Sequence, residues 1–129
     1  MDGERPKPGS LEYEILITFL DQEKPKKPKE IADILEKKAS TINSALKRMQ
    51  EGGILHWHHY GNVEILNNGK EILKDIKRHL EHIETFLMES LNLTKKEAES
   101  ESKRLAPHFS CDIIDKICDK YNCHANGHN

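Results

Sequence analysis

The chain of 129 residues is 36% hydrophobic, 33% charged and 5% aromatic. That balance gives a thin core under a heavily charged surface and argues against an aromatic-rich β-sandwich. No apolar run nears the roughly 20 residues of a membrane span, and the charged N-terminus lacks a signal-peptide core, so a cytoplasmic protein of one domain or two small ones is expected. The formal net charge of −2 hides an uneven distribution, because residues 24–48 hold eight Lys or Arg against three Asp or Glu. A basic stretch on a near-neutral protein points to an anionic partner for one face, with a solvated lysine-rich loop as the plainer alternative. The three Cys, at 111, 118 and 123, contain no tight pair, which favours free or metal-binding thiols over a disulfide framework.

Ser10 can cap a first helix running to about Leu20, with Leu11, Ile15, Leu16, Phe19 and Leu20 on its apolar face. Two prolines and a lysine cluster in residues 21–28 then break it. Residues 29–38 read as a short second helix burying Ile31, Ile34 and Leu35, followed by a tight turn at Ala39 and Ser40. Residues 41–51 form a third helix, with Ile42, Ala45, Leu46 and Met49 at i, i+3, i+4, i+7 spacing and Gly52-Gly53 as its stop.

Beyond Gly53 the period changes. Ile54, Leu55 and Trp57, then Val63, Ile65 and Leu66, flank His58-His59-Tyr60-Gly61-Asn62 and predict a β-hairpin with a Gly-containing turn. From Lys70 to about Leu91 the apolar residues Ile72, Leu73, Ile76, Leu80, Ile83, Phe86, Leu87 and Leu91 mark a long helix. About 22 helical residues extend roughly 33 Å, too far for so small a chain to cover alone, so a partner surface is implied. Residues 94–105 and 111–121 predict two further helices separated by Ala106-Pro107-His108, and residues 122–129 a polar, poorly ordered tail.

Two short helices joined by a tight turn and followed by a hairpin describe a winged helix-turn-helix, a duplex-binding unit. With Ile42, Ala45, Leu46 and Met49 turned inward, the opposite face of the third helix and the turn before it present Lys38, Ser40, Thr41, Asn43, Ser44, Lys47 and Arg48. Asn and Ser suit base edges in the major groove, whereas Lys and Arg neutralise phosphates or read guanine. His56, His58, His59 and Tyr60 cluster in the expected wing, where they could line a phosphate or a metal or stand solvated.

Three stretches carry a family likeness: EIADILEKKASTINSALKRMQEGGIL, NGKEILKDIKRHLEHIETFLMESLNL and EAESESKRLAPHFSCDIIDKI. With them, residues 10–129 resemble the metal-dependent repressors of the diphtheria toxin repressor and manganese transport regulator type, and the closing NCHANGH is similar to a degenerate Cys-Pro-His-Gly tail. The resemblance implies a mainly α fold, with an N-terminal winged helix-turn-helix carrying a β-hairpin wing (residues 10–67) and a helical dimerisation domain (residues 68–129). It further implies a homodimer on a palindromic operator in double-stranded DNA, with divalent iron or manganese as corepressor.

The family's ligand positions carry over unevenly. Its first acidic ligand falls on Glu12, the next on Ile15; the histidine of the dimerisation helix falls on Leu80, with His79 one residue earlier, and the accompanying glutamate on Glu84. An ancillary histidine position holds Glu99, the primary Cys-or-Glu position is Lys103, and a Glu-His pair lands on Ala106 and Pro107, with His108 next. A one-residue slip rotates a helical side chain by about 100°, and an ammonium repels a cation. Three readings stay open. A shifted metal site would use some of Glu12, His79, His82, Glu84, Glu99, Glu101 and His108. Alternatively, Lys103 would stand in for the ion against Glu12 or Glu84 in a regulator active without metal. The third is a metal- or redox-sensing interaction protein built on Cys111, Cys118, Cys123, His124 and His128, although Cys111 and Cys118, seven apart beside Ile114, suit core packing. No phosphate loop, nucleophile elbow or His-Glu-x-x-His pattern suggests an enzyme.

Overall fold

A computed structural model describes residues 9–20, 24–59 and 61–121. The helices are α1 (Leu11–Ile17), α2 (Pro28–Leu35), α3 (Ala39–Glu51), α4 (Asn67–Leu91), α5 (Lys95–Leu105) and α6 (Cys111–Tyr121). Strands β1 (Leu55–Trp57) and β2 (Val63–Ile65) pair antiparallel between α3 and α4, and a 3-10 turn, Ala106–His108, joins α5 to α6. The molecule is therefore mainly helical with one small sheet. Its contacts divide into two compact units, Met1–Asp75 and Ile76–Asn129, with the division inside α4.

In the first unit the backbone obeys local chemistry. The Ser10 hydroxyl accepts from the Tyr13 N–H at 3.2 Å and starts α1. The helix stops at Ile17, three residues before the expected end, because the next residues tighten into i→i+3 bonds. The Phe19 N–H donates to the Leu16 carbonyl at 2.9 Å, and the Thr18 hydroxyl donates to the Ile15 carbonyl at 2.6 Å. Phe19 nevertheless stays fully buried.

Helix α2 opens on Pro28, whose missing N–H costs nothing at a first helical position, and the Glu30 carboxylate accepts from the Lys27 N–H at 2.9 Å. It ends at Leu35, not Lys38, because Glu36 turns left-handed (φ 57°) and the Lys37 N–H closes back on the Ala32 carbonyl at 3.0 Å. The inward arc of this two-turn helix runs from buried Ile31 through Leu35, which is only half-buried against the expectation, to buried Ala32. Ile34 lies beyond its edge and is 56% exposed, which corrects the expectation that it is buried. The turn thus falls at residues 36–38, and Ala39 and Ser40 join α3.

The inner face of α3 matches its sequence pattern: Ile42, Ala45, Leu46 and Met49 are buried. Helix α3 touches α1, α2 and β1. Each such large side chain removed from water contributes roughly 1.5–3 kcal/mol. Gly53, at φ 76°, turns the chain out of α3, and the Ile54 N–H returns to the Met49 carbonyl at 3.0 Å. The ladder pairs Leu55 with Ile65, His56 with Glu64 and Trp57 with Val63. Leu55, Val63 and Ile65 face inward, whereas His56 and Glu64 face out.

Two ties fix the hairpin to its surroundings. The Gln50 side chain accepts from the Trp57 N–H at 2.7 Å. Lys26 exchanges both backbone hydrogen bonds with Val63, at 3.1 and 2.6 Å, and lays its ammonium 4.4 Å from the centre of the Phe19 ring.

The second unit holds most of α4 with α5 and α6. Helix α4 begins at Asn67, three residues earlier than expected, and its 25 residues extend about 37 Å. Ile76, Leu80, Ile83 and Leu87 line its buried side, joined by His82. Left-handed Asn92 (φ 58°) ends it, and Thr94 with Glu97 forms a reciprocal capping box that starts α5. Ser110 caps α6 by accepting from the Ile113 N–H at 3.2 Å. Ile114, Ile117 and Cys118 of α6 are buried, whereas Cys111 is exposed, so only Cys118 has the packing role expected of both. Phe86 meets Phe109 and Tyr121 edge-on at 6.5 and 6.2 Å. Tyr60 and the tail carrying Cys123, His124 and His128 lie outside the described residues.

Gly69, in the first turn of α4, shows how closely that turn meets the hairpin. A Cβ there would collide with the Ile54 carbonyl oxygen and come within 2.7 Å of Ile65 Cγ2. Gly69→Ala is therefore expected to destabilise the protein by about 1–3 kcal/mol, read as a lowered midpoint in urea unfolding.

Candidate functional site

At 100° per residue, the buried face of α3 leaves an opposite arc centred on Ser40, Ser44 and Lys47, with Asn43 at one flank and Thr41 and Arg48 at the other. Ser40, Thr41, Ser44 and Lys47 are exposed and Asn43 is half-buried. Because α3 starts at Ala39, Lys38 is the residue preceding its first turn, and Ser40 and Thr41 are helical. The same unit exposes Lys24, Lys27, Lys29 and Lys37. These side chains make an uncommitted cationic surface beside small polar groups on a rigid helix, a combination suited to phosphate oxygens and base edges.

Arg48 behaves differently. Its flank position turns it toward α1, where its Nε and one terminal nitrogen both lie 2.8 Å from Glu12 Oε2. Two charge-assisted bonds to a carboxylate 36 positions away in sequence tie α3 to α1. Glu12 and Arg48, expected to serve a metal and DNA respectively, engage each other. On the outer face of the hairpin, His58 Nε2 is 3.1 Å from Glu64, and the His56 ring stands edge-on to His58 at 4.3 Å. His56 and His58 therefore have partners within the hairpin itself.

The remaining candidates lie in the second unit. His79 is half-buried and His82 buried on α4, Glu99 is exposed on α5, and His108 is exposed after it. Glu84 has only 15% of its side chain exposed, and the ammonium that reaches it belongs to Lys95, at 3.3 Å. The same ammonium lies 3.6 Å from Glu99. The hydrogen bond and the attraction of Glu84, followed by Glu99, hold the Lys95 pKa above its ordinary 10.5. A raised lysine pKa adds stability that is complete below pH 10.5 and fades as the pH climbs through the raised value. Lys95 was absent from the residues singled out by sequence. Its i, i+4 spacing to Glu99 was visible there, but its reach to Glu84 depends on how the turn at residues 92–94 folds α5 back.

Residues 67–124 match the family described as the iron dependent repressor, metal binding and dimerisation domain. Over 103 residues the chain is 26% identical to an uncharacterised helix-turn-helix transcriptional regulator of Methanocaldococcus jannaschii, covering 80% of this chain and 82% of that one. The second half of the chain is thus similar to the metal-dependent repressors, and the chain as a whole to a transcriptional regulator.

Solved structures share the fold. T. acidophilum IdeR superposes with a TM-score of 0.70 at 12% identity over 92% of this chain, and a manganese-dependent transcriptional repressor complexed with manganese with 0.69 at 20% identity over 87%. The chain spans 56% and 52% of the lengths of those two proteins. A hypothetical protein from Sulfolobus solfataricus, of which it spans 85%, gives a TM-score of 0.60 at 24% identity.

Similarity to a metal-binding family raises the question of whether the residues present fit a divalent ion. Among the described residues, no three His, Cys, Asp or Glu side chains gather around one point. Mn²⁺ and Fe²⁺ need several N, O or S donors converging on them. Here Glu12 holds a guanidinium and Glu84 and Glu99 hold an ammonium. The arrangement does not fit the ion.

If Glu12 and Arg48 form a working pair, a double-mutant cycle of Glu12→Gln and Arg48→Met should give a coupling energy of about 0.2–1 kcal/mol in urea unfolding, since both groups are partly solvated. Strictly additive effects would show that the two side chains do not hold each other in solution.

Proposed function

We propose that this chain is a homodimeric, cytoplasmic transcriptional regulator that binds double-stranded DNA through a winged helix-turn-helix and lacks the family's usual primary metal site. The observation that carries the DNA-binding part is the division of α3. Its inner face is sealed by Ile42, Ala45, Leu46 and Met49, while its outer face keeps Ser40, Thr41, Asn43, Ser44 and Lys47 clear of other elements' cores. In this reading α2 and α3 are the helix-turn-helix, β1 and β2 the wing, and α3 enters the major groove. Lys38 and Lys47 meet phosphates, and Asn43 and Ser44 reach base edges. Arg48 acts first as a brace to α1. Its exposed remainder reaches a phosphate only where that brace permits. Regulation is passive, with bound protein occupying DNA that polymerase or another factor needs.

The second unit supports pairing of two copies. A groove of about 740 Å³ runs along Leu87, Leu91, Leu93 and Leu105, edged by Lys96 and Glu101. Leu91 is 60% exposed and Ile113 45%. Apolar side chains left in water beside a groove are what an isologous interface covers, and the matched family is a dimerisation domain. Two-fold pairing would present two α3 helices to a palindromic site.

Two measurements test the parts separately. On an operator recovered by selection from genomic DNA, Lys47→Ala should weaken binding in fluorescence anisotropy. It should also reduce the slope of log affinity against log salt by about 1, the signature of one lost phosphate contact. An unchanged slope would remove Lys47 from the interface. Leu91→Asp should convert dimer to monomer in light scattering while leaving the α-helical circular dichroism intact; a dimer that survives would move the interface elsewhere.

A further inference from the structure

The carboxylates at the two ligand positions of the second unit already have a cation. From this we infer that the Lys95 ammonium takes the place of a divalent ion at Glu84 and Glu99, so that the join between α4 and α5 is complete without metal. Glu84 is the residue that demands a partner. With 15% of its side chain exposed it has lost most of its water, and a carboxylate so placed needs a cation or hydrogen-bond donors. Lys95 supplies both at 3.3 Å, and extends the link to Glu99 one turn along α5, at 3.6 Å.

The local chain geometry delivers the ammonium. Left-handed Asn92 ends α4, the Thr94–Glu97 capping box starts α5 at once, and Lys95 stands at the first position of the returning helix. A divalent ion could occupy the same place only after Lys95 left and both carboxylates closed in, since hard cations hold oxygens at about 2.0–2.6 Å. With the lysine present, an incoming ion meets a like charge where its ligands should be. The sequence offered a different lysine, Lys103, for this role. Lys103, which the resemblance puts at the primary ligand position, lies on α5, and Lys95 spans Glu84 and Glu99.

This inference rests on Glu84 and Glu99 being the ligand positions and not on DNA binding, so the two readings fail independently. The test uses full-length protein stripped with chelator, with thermal melting and free Mn²⁺ measured by electron paramagnetic resonance. The wild type should melt at the same temperature with and without Mn²⁺ and leave the ion free. Lys95→Met should melt lower and regain part of the loss when Mn²⁺ is added, because Glu84 then lacks its cation. Lys95→Arg, which keeps a cation, should behave as the wild type, and Lys95→Met combined with Glu84→Gln should recover stability with no response to the ion. Stoichiometric Mn²⁺ binding by the wild type with a raised melting temperature would overturn the inference. So would a Lys95→Met protein that melts like the wild type, or one whose loss no divalent ion repairs. If Lys95→Met fails to fold, the wild-type titration and Lys95→Arg still decide.

Discussion

The burial of one face of α3 is the constraint on which the first unit depends. Ile42, Ala45, Leu46 and Met49 must all leave water together, and the surfaces that receive them come from α1, α2 and β1. Once that stripe is sealed the rotation of α3 about its own axis is settled, because turning it by one residue would expose a buried isoleucine, leucine or methionine. The polar arc on the far side is a by-product of this requirement, and it is also the surface proposed above to meet nucleic acid. Packing and function are thus two faces of one helical period. The Arg48–Glu12 bridge and the Gln50–Trp57 bond act on the same element from opposite sides, tying it to α1 and to the hairpin.

A second theme is the neutralisation of acidic groups by the chain's own bases. Glu12 and Glu84 lie in different units, and each has a cationic side chain in direct contact. In neither case is the partner a nearest neighbour in sequence. If these carboxylates stand at ligand positions, as inferred above, the chain's own Arg and Lys put fixed charges where an exchangeable ion would sit. Fixed charges cannot report the availability of a metal. They can hold the helices in one arrangement whatever the composition of the medium.

How far the sequence revealed this depended on whether the decisive interaction was local. The apolar period of α3, the capping residues Ser10 and Thr94, the Gly52-Gly53 stop and the hairpin around Gly61 are signals contained within a few residues, and they were legible. The ends of α1 and α2 were not, because they are set by backbone bonds from Thr18 and Phe19 and by a left-handed glutamate at position 36, a conformation no composition rule assigns to Glu. The candidate DNA-facing residues followed from periodicity, since a helix fixes which side chains point away from a buried stripe. The fate of Arg48 did not follow, for its partner is 36 residues distant. Lys95 escaped notice for the same reason, because sequence pattern shows an i, i+4 pair with Glu99 and hides the longer reach to Glu84. Cys111 and Ile34 erred on the side of burial: each lies near an apolar stripe without lying in it.

The rung between Lys26 and Val63 bears on the lysine-rich segment that precedes α2. Two backbone hydrogen bonds and a contact with the Phe19 ring stitch the middle of that segment to the outer strand. Its neighbours Lys24 and Lys27 are in consequence carried on a clamped strap, and Lys29 follows in the first turn of α2. Their charges keep a set spacing from the hairpin, so in the DNA-binding reading proposed above little chain entropy would be lost on binding.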